Sequence, residues 1–245
     1  MEDQRSGGSW WDALRRKARS EGRRIGGQGR KALLRLRLGQ HWREAEGERL
    51  SRRVYPSYET YLAHQRVKLD AHRDSSIARY DRNFFAALSE RLSRAPLSLR
   101  GCSVLCLAAR QGTEVRAFIG QGAFAVGIDL NPGRENRYVV TGDFHALQFA
   151  DGTVDVVFTN SLDHAFDLPR VLAEVHRVLV PDGVLLAEVG RGSGAGVTPG
   201  FYEALAWHSV DDLLPKLLAG GFTLEHRAPF EAPWPGEQLI LRKAP

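Results

Sequence analysis

Cysteine is nearly absent from this chain: Cys102 and Cys106 are the two in 245 residues. No histidine or further cysteine joins them at zinc-ligand spacing, so no structural metal site is expected. Nor can two cysteines staple a disulfide-dependent miniprotein. Cys106 lies inside an apolar run and reads as a small buried hydrophobe. Long apolar stretches are missing as well. None approaches the ~18–20 residues that span a bilayer, and residues 1–30 hold no continuous apolar core of the kind a secretory leader needs. The expectation is a cytoplasmic enzyme. Compositional extremes are also lacking, with 43% hydrophobic and 26% charged residues. That is ordinary for a globular protein and excludes a fibre or a repeat array. The length allows one sizeable α/β core with an appendage, or two small domains.

Charge of one sign is concentrated rather than spread. Residues 1–60 carry 15 Lys/Arg against 8 Asp/Glu, whereas residues 61–245 carry 19 against 21. The net charge of +5 therefore belongs to the N-terminus, which bears on partners rather than on fold. Three readings compete there: a solvated helical face, an anionic membrane surface met by Arg/Lys with Trp10, Trp11, Leu33, Leu34, Leu36 and Leu38 on the apolar side, or nucleic acid. Peripheral contact with an anionic membrane or glycan is favoured over nucleic acid, because no nucleic-acid-binding fold is evident. The oligomeric state is not legible.

Two patterns divide the chain. Residues 1–9 are polar and Gly/Ser-containing, residues 10–24 carry a helical charge pattern, and Gly26, Gly27 and Gly29 interrupt it. Residues 55–70 read as helix from Pro56 onward. Ile77, Tyr80, Phe84, Leu88 and Leu92 recur at helical steps over 75–93. After Pro96, short apolar runs alternate with helices. Strands are expected at Ser103–Leu107, Ala125–Leu130, Tyr138–Val140, Val154–Thr159, Val184–Val189, Phe222–His226 and Gln238–Leu241. Helices are expected at Glu114–Ile119, Leu168–Leu179 and Val210–Leu218, with Asp167 and Ser209 as N-caps. Nearly all-apolar strands separated by helices indicate an α/β fold, a parallel sheet covered on both faces. The resulting division is a basic, partly helical extension (1–54), a helical cap (55–99) and an α/β domain (100–245).

The first α/β strand runs into VLCLAARQG at 104–112, a strand–turn–helix cradle for a nucleotide-like ligand. Asp129 ends the second strand, 17 residues after Gly112, where a carboxylate can accept hydrogen bonds from ribose hydroxyls. Further on come GIDLNPG (127–133), GDFHALQF (142–149), VDVVFTN (154–160) and HRVLVPDG (176–183). In order and spacing these four segments resemble the class I S-adenosylmethionine-dependent methyltransferases, in the branch with a small-molecule type of methyltransferase domain. The resemblance covers residues ~100–190. It implies a Rossmann-like, seven-stranded, mostly parallel sheet with an antiparallel C-terminal strand, preceded by the helical extension. It also implies S-adenosyl-L-methionine as cofactor. The first motif departs from the family pattern. Cys106 stands where an acid is usual, and Ala108 and Arg110 stand where glycines are usual. CLAARQGTEV (106–115) is similar to a subgroup reading CLGARxGxEV.

The resemblance places the cofactor against Ala108, Arg110, Gly112, Asp129, Leu130, Gly142, Asp143, Phe144 and Asn160. Arg110 would pair with the cofactor's carboxylate, and Asp143 would meet the adenine amino group. Methyl transfer is an in-line displacement that depends on positioning and desolvation. A hydroxyl acceptor needs a base, and His164, just past the fourth strand, is the candidate, with Asp163 the alternative. Local packing is the competing reading of His164. His145 reads as structural. His208 is a candidate for the acceptor pocket, although a half-buried helix-end histidine is favoured. Gly190–Gly200 reads as a lid or a plain linker. The loop after the fourth strand lacks the Asn/Asp-Pro-Pro-aromatic signature of methylation at exocyclic base amines. The resemblance permits a sugar or other glycan, a lipid-linked saccharide, a natural product or a small acid as acceptor, and methylation at oxygen is expected. A non-catalytic Rossmann-like binding module and a nicotinamide-dependent oxidoreductase are the alternatives. The oxidoreductase suffers from the missing glycine fingerprint.

Overall fold

The computed structural model describes residues 41–44, 49–70 and 75–244. The readings made for residues 1–40 lie outside the described residues.

The main sheet has seven strands. They are β3 (Ser103–Leu107), β4 (Phe124–Asp129), β5 (Val139–Thr141), β6 (Val154–Thr159), β7 (Leu179–Gly190), β9 (Phe222–Phe230) and β10 (Gly236–Lys243). Their order is β5-β4-β3-β6-β7-β10-β9. β5 through β7 pair in parallel, and β10 runs antiparallel to both β7 and β9. This is the expected Rossmann-like sheet. Strands β3 and β6 match their expected bounds residue for residue, and β7 begins at Leu179 rather than at Val184.

Both faces of the sheet are buried, which is why its strands read as continuous apolar runs. Leu105, Leu107, Val157 and Leu185 face one cluster with α4 (Leu168–Val178) and α5 (Val210–Ala219). Val104, Cys106, Phe158 and Leu186 face the other with α2 (Ser75–Arg94) and α3 (Thr113–Gly120). Cys106 is fully buried, as its apolar neighbours imply. The caps hold as well: Asp167 accepts from the Arg170 N–H, and Ser209 forms a capping box with Asp212. Helix α1 (Tyr58–Asp70) precedes α2.

A second, three-stranded sheet is not foreshadowed in the sequence. β1 (Trp42–Glu44), β2 (Leu50–Arg53) and β8 (Leu205–Trp207) pair antiparallel in that order. The part of residues 1–54 that is described forms strands, while the helical reading of that extension falls on residues 10–24, outside the described residues. Three- and four-residue segments are too short to display a period of two. The partner of β2 is also more than 150 residues away, with Leu50 opposite Trp207.

One charged pair sits inside the sheet. Glu188 interrupts the apolar run of β7, and its side chain is fully buried. Arg91 of α2 donates to both its oxygens, at 2.7 and 2.8 Å, and Gln238 of β10 donates at 3.1 Å. Removing one member of such a pair costs more than the pair itself contributes, because a buried charge is left behind. Arg91→Met is therefore expected to destabilise the fold by about 3 kcal/mol in urea denaturation, and adding Glu188→Gln should recover more than half of that loss. A cost for Arg91→Met below about 0.5 kcal/mol would show the pair to be dispensable.

Candidate active site

The strand order reverses between β3 and β6, and the loops at their carboxyl ends open a crevice at that point. The loop after β3 has an alternating backbone. Ala108 (φ 52°), Arg110 (φ 46°) and Gly112 (φ 82°) all lie in the left-handed region. These are the positions where the family pattern has glycines. A side chain there costs on the order of 1–2 kcal/mol per residue, so the conformation must be held from outside. Ala109 N–H donates to the Ile128 carbonyl at 2.9 Å, and Arg110 N–H donates to Asp129 Oδ2 at 3.1 Å. Glycine is retained where space also runs out: a Cβ on Gly112 would lie 2.6 Å from the Tyr138 Cβ. The other Asp129 oxygen accepts from the Asn131 N–H at 2.8 Å.

Two adjoining cavities follow the crevice. The smaller, about 40 Å³, is lined by Ala108, Arg110, Asp129, Leu130, Gly142 and Phe144 on the sheet side. Tyr61 and Gln65 of α1 line it from above. The larger, about 370 Å³, is lined by Asn160, Asp163 and Glu188 among others. Arg110, Ser161 and His164 belong to both. Of the residues singled out from sequence, Gly112 and Asp143 line neither. Tyr61, Gln65, Trp207, Trp234 and Glu188 were not foreseen at these cavities. Only Glu188 left a trace in sequence, as a carboxylate within an apolar strand.

Asp143 is engaged by the protein itself. Tyr58 Oη donates to one oxygen, and the other accepts from His145 N–H at 2.9 Å and from the His145 ring at 3.0 Å. Burial alone would raise this carboxyl, but the bonds from His145 and Tyr58 hold it below the ordinary carboxylate range. His145 Nε2 accepts from Phe166 N–H and Asp167 N–H, each at 3.2 Å. Nδ1 is then the protonated nitrogen, and the ring pins two loops together, a structural role. His208 is exposed and lines neither cavity. In the stretch Gly190–Gly200, a short turn at Ser193–Ala195 forms, and Val197 reaches the larger cavity.

His164 is 8% exposed. Its Nδ1 lies 2.9 Å from the Tyr202 carbonyl. A carbonyl can only accept, so Nδ1 carries the proton and Nε2 is the acceptor nitrogen of the neutral ring. Asp163 Oδ1 is 3.9 Å from that Nε2. Among the described residues one trio could ligate a cation: Asp163, His164 and Glu203 offer atoms within 4.8 Å of one another. The expectation of no metal rested on cysteine spacing and did not consider this trio.

Residues 105–187 match the profile of the family described as a methyltransferase domain. That stretch, from β3 to the middle of β7, is similar to a methyltransferase domain. The chain is 32% identical over 195 residues to a Halorhodospira halophila protein named malonyl-(acyl-carrier protein) O-methyltransferase, covering 64% of this chain and 65% of that protein. It is 38% identical over 68 residues to a Coxiella burnetii malonyl-(acyl-carrier protein) O-methyltransferase 1, covering 26% of this chain and 24% of that one. The chain thus spans less than two thirds of the length of either curated relative. The fold matches that of the Burkholderia thailandensis 1,6-didemethyltoxoflavin-N1-methyltransferase, solved with its substrate and S-adenosylhomocysteine. The TM-score is 0.61 at 20% identity, over 84% of this chain and 99% of that one.

The donor set of the crevice suits S-adenosylmethionine. It has a carboxylate at the end of β4, a turn of left-handed residues under it, and a guanidinium on the cavity wall. The smaller cavity is far below the ~300–1,000 Å³ of ligand pockets in general.

Behind Arg110 lies a carboxylate that the sequence reading did not single out. Glu114 is 1% exposed, and neither oxygen has a hydrogen-bond partner. Arg110 Nη2 stands 3.9 Å from it and 3.8 Å from Asp81, and the guanidinium lies over the Tyr80 ring at 5.2 Å. Burial pushes the Glu114 carboxyl up from 4.5 to about 7, against the pull of Arg110. Between those values the folded chain keeps a proton that the unfolded chain has lost. This residue's contribution to stability is therefore fully present below pH 4.5 and is lost as pH rises toward 7. The difference in unfolding free energy between the parent and Glu114→Gln should change over that window by on the order of 3 kcal/mol, in the direction that disfavours the parent at the higher pH. A flat difference across the window would contradict the burial of an uncompensated carboxyl.

Proposed function

We propose that this protein transfers a methyl group from S-adenosylmethionine to an oxygen of a small-molecule acceptor held in the larger cavity. When bound, the cofactor supplies an electrophilic methyl on a sulfonium, which departs as S-adenosylhomocysteine when a nucleophilic oxygen takes the methyl. In this reading Asp129 accepts from the ribose hydroxyls, and Leu130, Gly142 and Phe144 flank the base. Asp143 acts indirectly, by holding Tyr58 and His145. Arg110 receives the carboxylate of the methionine half. His164 is the base and takes the acceptor's hydroxyl proton at Nε2. Asp163, beside that nitrogen, stabilises the imidazolium that results. The observation that carries the reading is the position of His164. It lies on the wall common to both cavities, with its tautomer fixed by the Tyr202 carbonyl.

The malonyl-(acyl-carrier protein) relatives add a second reading, in which the acceptor oxygen belongs to a carboxylate and needs no base. A non-catalytic binding module is disfavoured, because a chain that had lost the ligand would have no reason to keep two non-glycine residues in left-handed backbone over Asp129. The helical lead-in, proposed as a cap, contributes Tyr61 and Gln65 above the smaller cavity. Among the described residues no helix is long and apolar enough to cross a membrane.

Two measurements separate these roles. Arg110→Ala should weaken S-adenosylhomocysteine at least about tenfold more than 5′-methylthioadenosine, which lacks the carboxylate, because a charge-assisted contact is worth roughly 1.5–3 kcal/mol. Equal loss for both ligands in calorimetric titration would reduce Arg110 to shaping the loop. His164→Gln should lower single-turnover methyl transfer to a hydroxyl acceptor by ~10²–10⁴ and leave S-adenosylhomocysteine affinity unchanged. Turnover of the parent should resist chelators. Chelator-sensitive turnover would instead assign Asp163, His164 and Glu203 to a cation.

A further inference from the structure

The larger cavity is more informative about its ligand than the motifs are. Its walls are mixed: ring and aliphatic carbon from Trp207, Trp234, Tyr80, Leu162, Val189 and Pro235 stand beside a nearly equal polar surface. Both indole N–H groups are used inside the protein. Trp207 Nε1 donates to the Gly190 carbonyl at 2.7 Å, and Trp234 Nε1 donates to Tyr80 Oη at 3.2 Å. What the two tryptophans offer a ligand is ring surface. The polar lining residues Asn160, Ser161, Asp163 and His164 come from the segment just after β6, and the other two, Arg110 after β3 and Glu188 of β7, face charges inside the protein. A pyranose presents hydroxyls around its whole rim and needs polar partners on several sides. A flat ring with one hydroxyl needs them at one end.

The charges are equally selective. Among the described residues lining this cavity, the one cation is Arg110 and the anions are Asp163 and Glu188. Glu188 is neutralised by Arg91. Arg110 faces Asp81 at 3.8 Å and Glu114 at 3.9 Å. Once Arg110 receives the cofactor's carboxylate, no lining cation remains for a second one, and Asp163 would stand beside it. Desolvating a carboxylate without a partner is prohibitive.

We propose that the acceptor taken by this cavity is an uncharged aromatic ring bearing a hydroxyl, stacked against Trp207 and Trp234 with the hydroxyl at the His164 end, and that carboxylate-bearing acceptors are excluded. The inference rests on the reading of this cavity as the acceptor site of a methyltransferase. It parts from the malonyl acceptor in the relatives' names. The substitution that would let a carboxylate in is a second cation, and the sequence supplies none on this wall.

The test uses the full-length protein saturated with S-adenosylhomocysteine and three probes in calorimetric titration: 2-naphthol, the malonyl thioester of N-acetylcysteamine, and methyl β-glucoside. The expected result is 2-naphthol binding at least about tenfold more tightly than either other probe, since aromatic stacking on the two indole rings is the favoured contact. Trp234→Ala should weaken 2-naphthol by about tenfold or more, and Trp234→Phe, which keeps a ring, should weaken it only a few fold. Both variants should bind S-adenosylhomocysteine as the parent does, which also certifies their folding. Tighter binding of the malonyl thioester or the glucoside, equal binding of all three, no measurable binding of any, or indifference of 2-naphthol to Trp234→Ala would each overturn the proposal. Failure of the parent to bind S-adenosylhomocysteine would instead remove the methyltransferase reading beneath it.

Discussion

The carboxylate of Asp129 accepts from the backbone N–H of Arg110 and from that of Asn131, at 3.1 and 2.8 Å. These bonds tie the loop after β3 to the end of β4. The rest of the crevice depends on that tie. With the Ala109 N–H bond to the Ile128 carbonyl and the Asn136 amide bond to the Arg110 carbonyl, it holds Ala108 and Arg110 in left-handed backbone. A glycine-rich loop reaches the same shape at no steric cost. This chain reaches it with side chains, and one of them is a cation that lines both cavities. Conformational freedom has been exchanged for a fixed positive charge beside the ligand.

That charge has consequences deeper in the fold. Arg110 stands 3.8 Å from Asp81 of α2 and 3.9 Å from Glu114 of α3, so both helices that cover this face of the sheet place a buried carboxylate near the guanidinium. Glu114, at full burial, is the destabilising member. Strain and uncompensated charge of this kind gather at functional sites and are offset elsewhere. Here the offset comes from a sheet buried on both faces.

The sequence made the central sheet legible because its strands are covered on two sides. SVLCL and VDVVFT could not alternate, so their ends coincide with the ends of their apolar runs. Asp167 and Ser209 announced α4 and α5 through cap chemistry, a local signal. The small sheet escaped because β2 meets β8 across more than 150 residues and neither is long enough to show a pattern. Part of the crevice was legible for the same local reasons: the positions of Ala108, Arg110, Asp129 and His164 follow from strand ends. The partners of those residues were not. Tyr58 reaches Asp143 across 85 residues, and it occupies one oxygen of a carboxylate expected to meet adenine. Tyr61 and Gln65 come over the crevice from a helix whose own sequence has no amphipathic stripe to announce which side it buries. Contacts set by tertiary placement leave no trace in periodicity.

The account stands on the claim that the Asp129-held loop is a site for S-adenosylmethionine. Calorimetric titration of the full-length protein with S-adenosylhomocysteine and, separately, with NADH measures this directly. The predicted result is saturable binding of one S-adenosylhomocysteine per chain and no heat from NADH, whose diphosphate finds no glycine fingerprint here. Absence of S-adenosylhomocysteine binding, or binding of NADH in its place, would contradict the account.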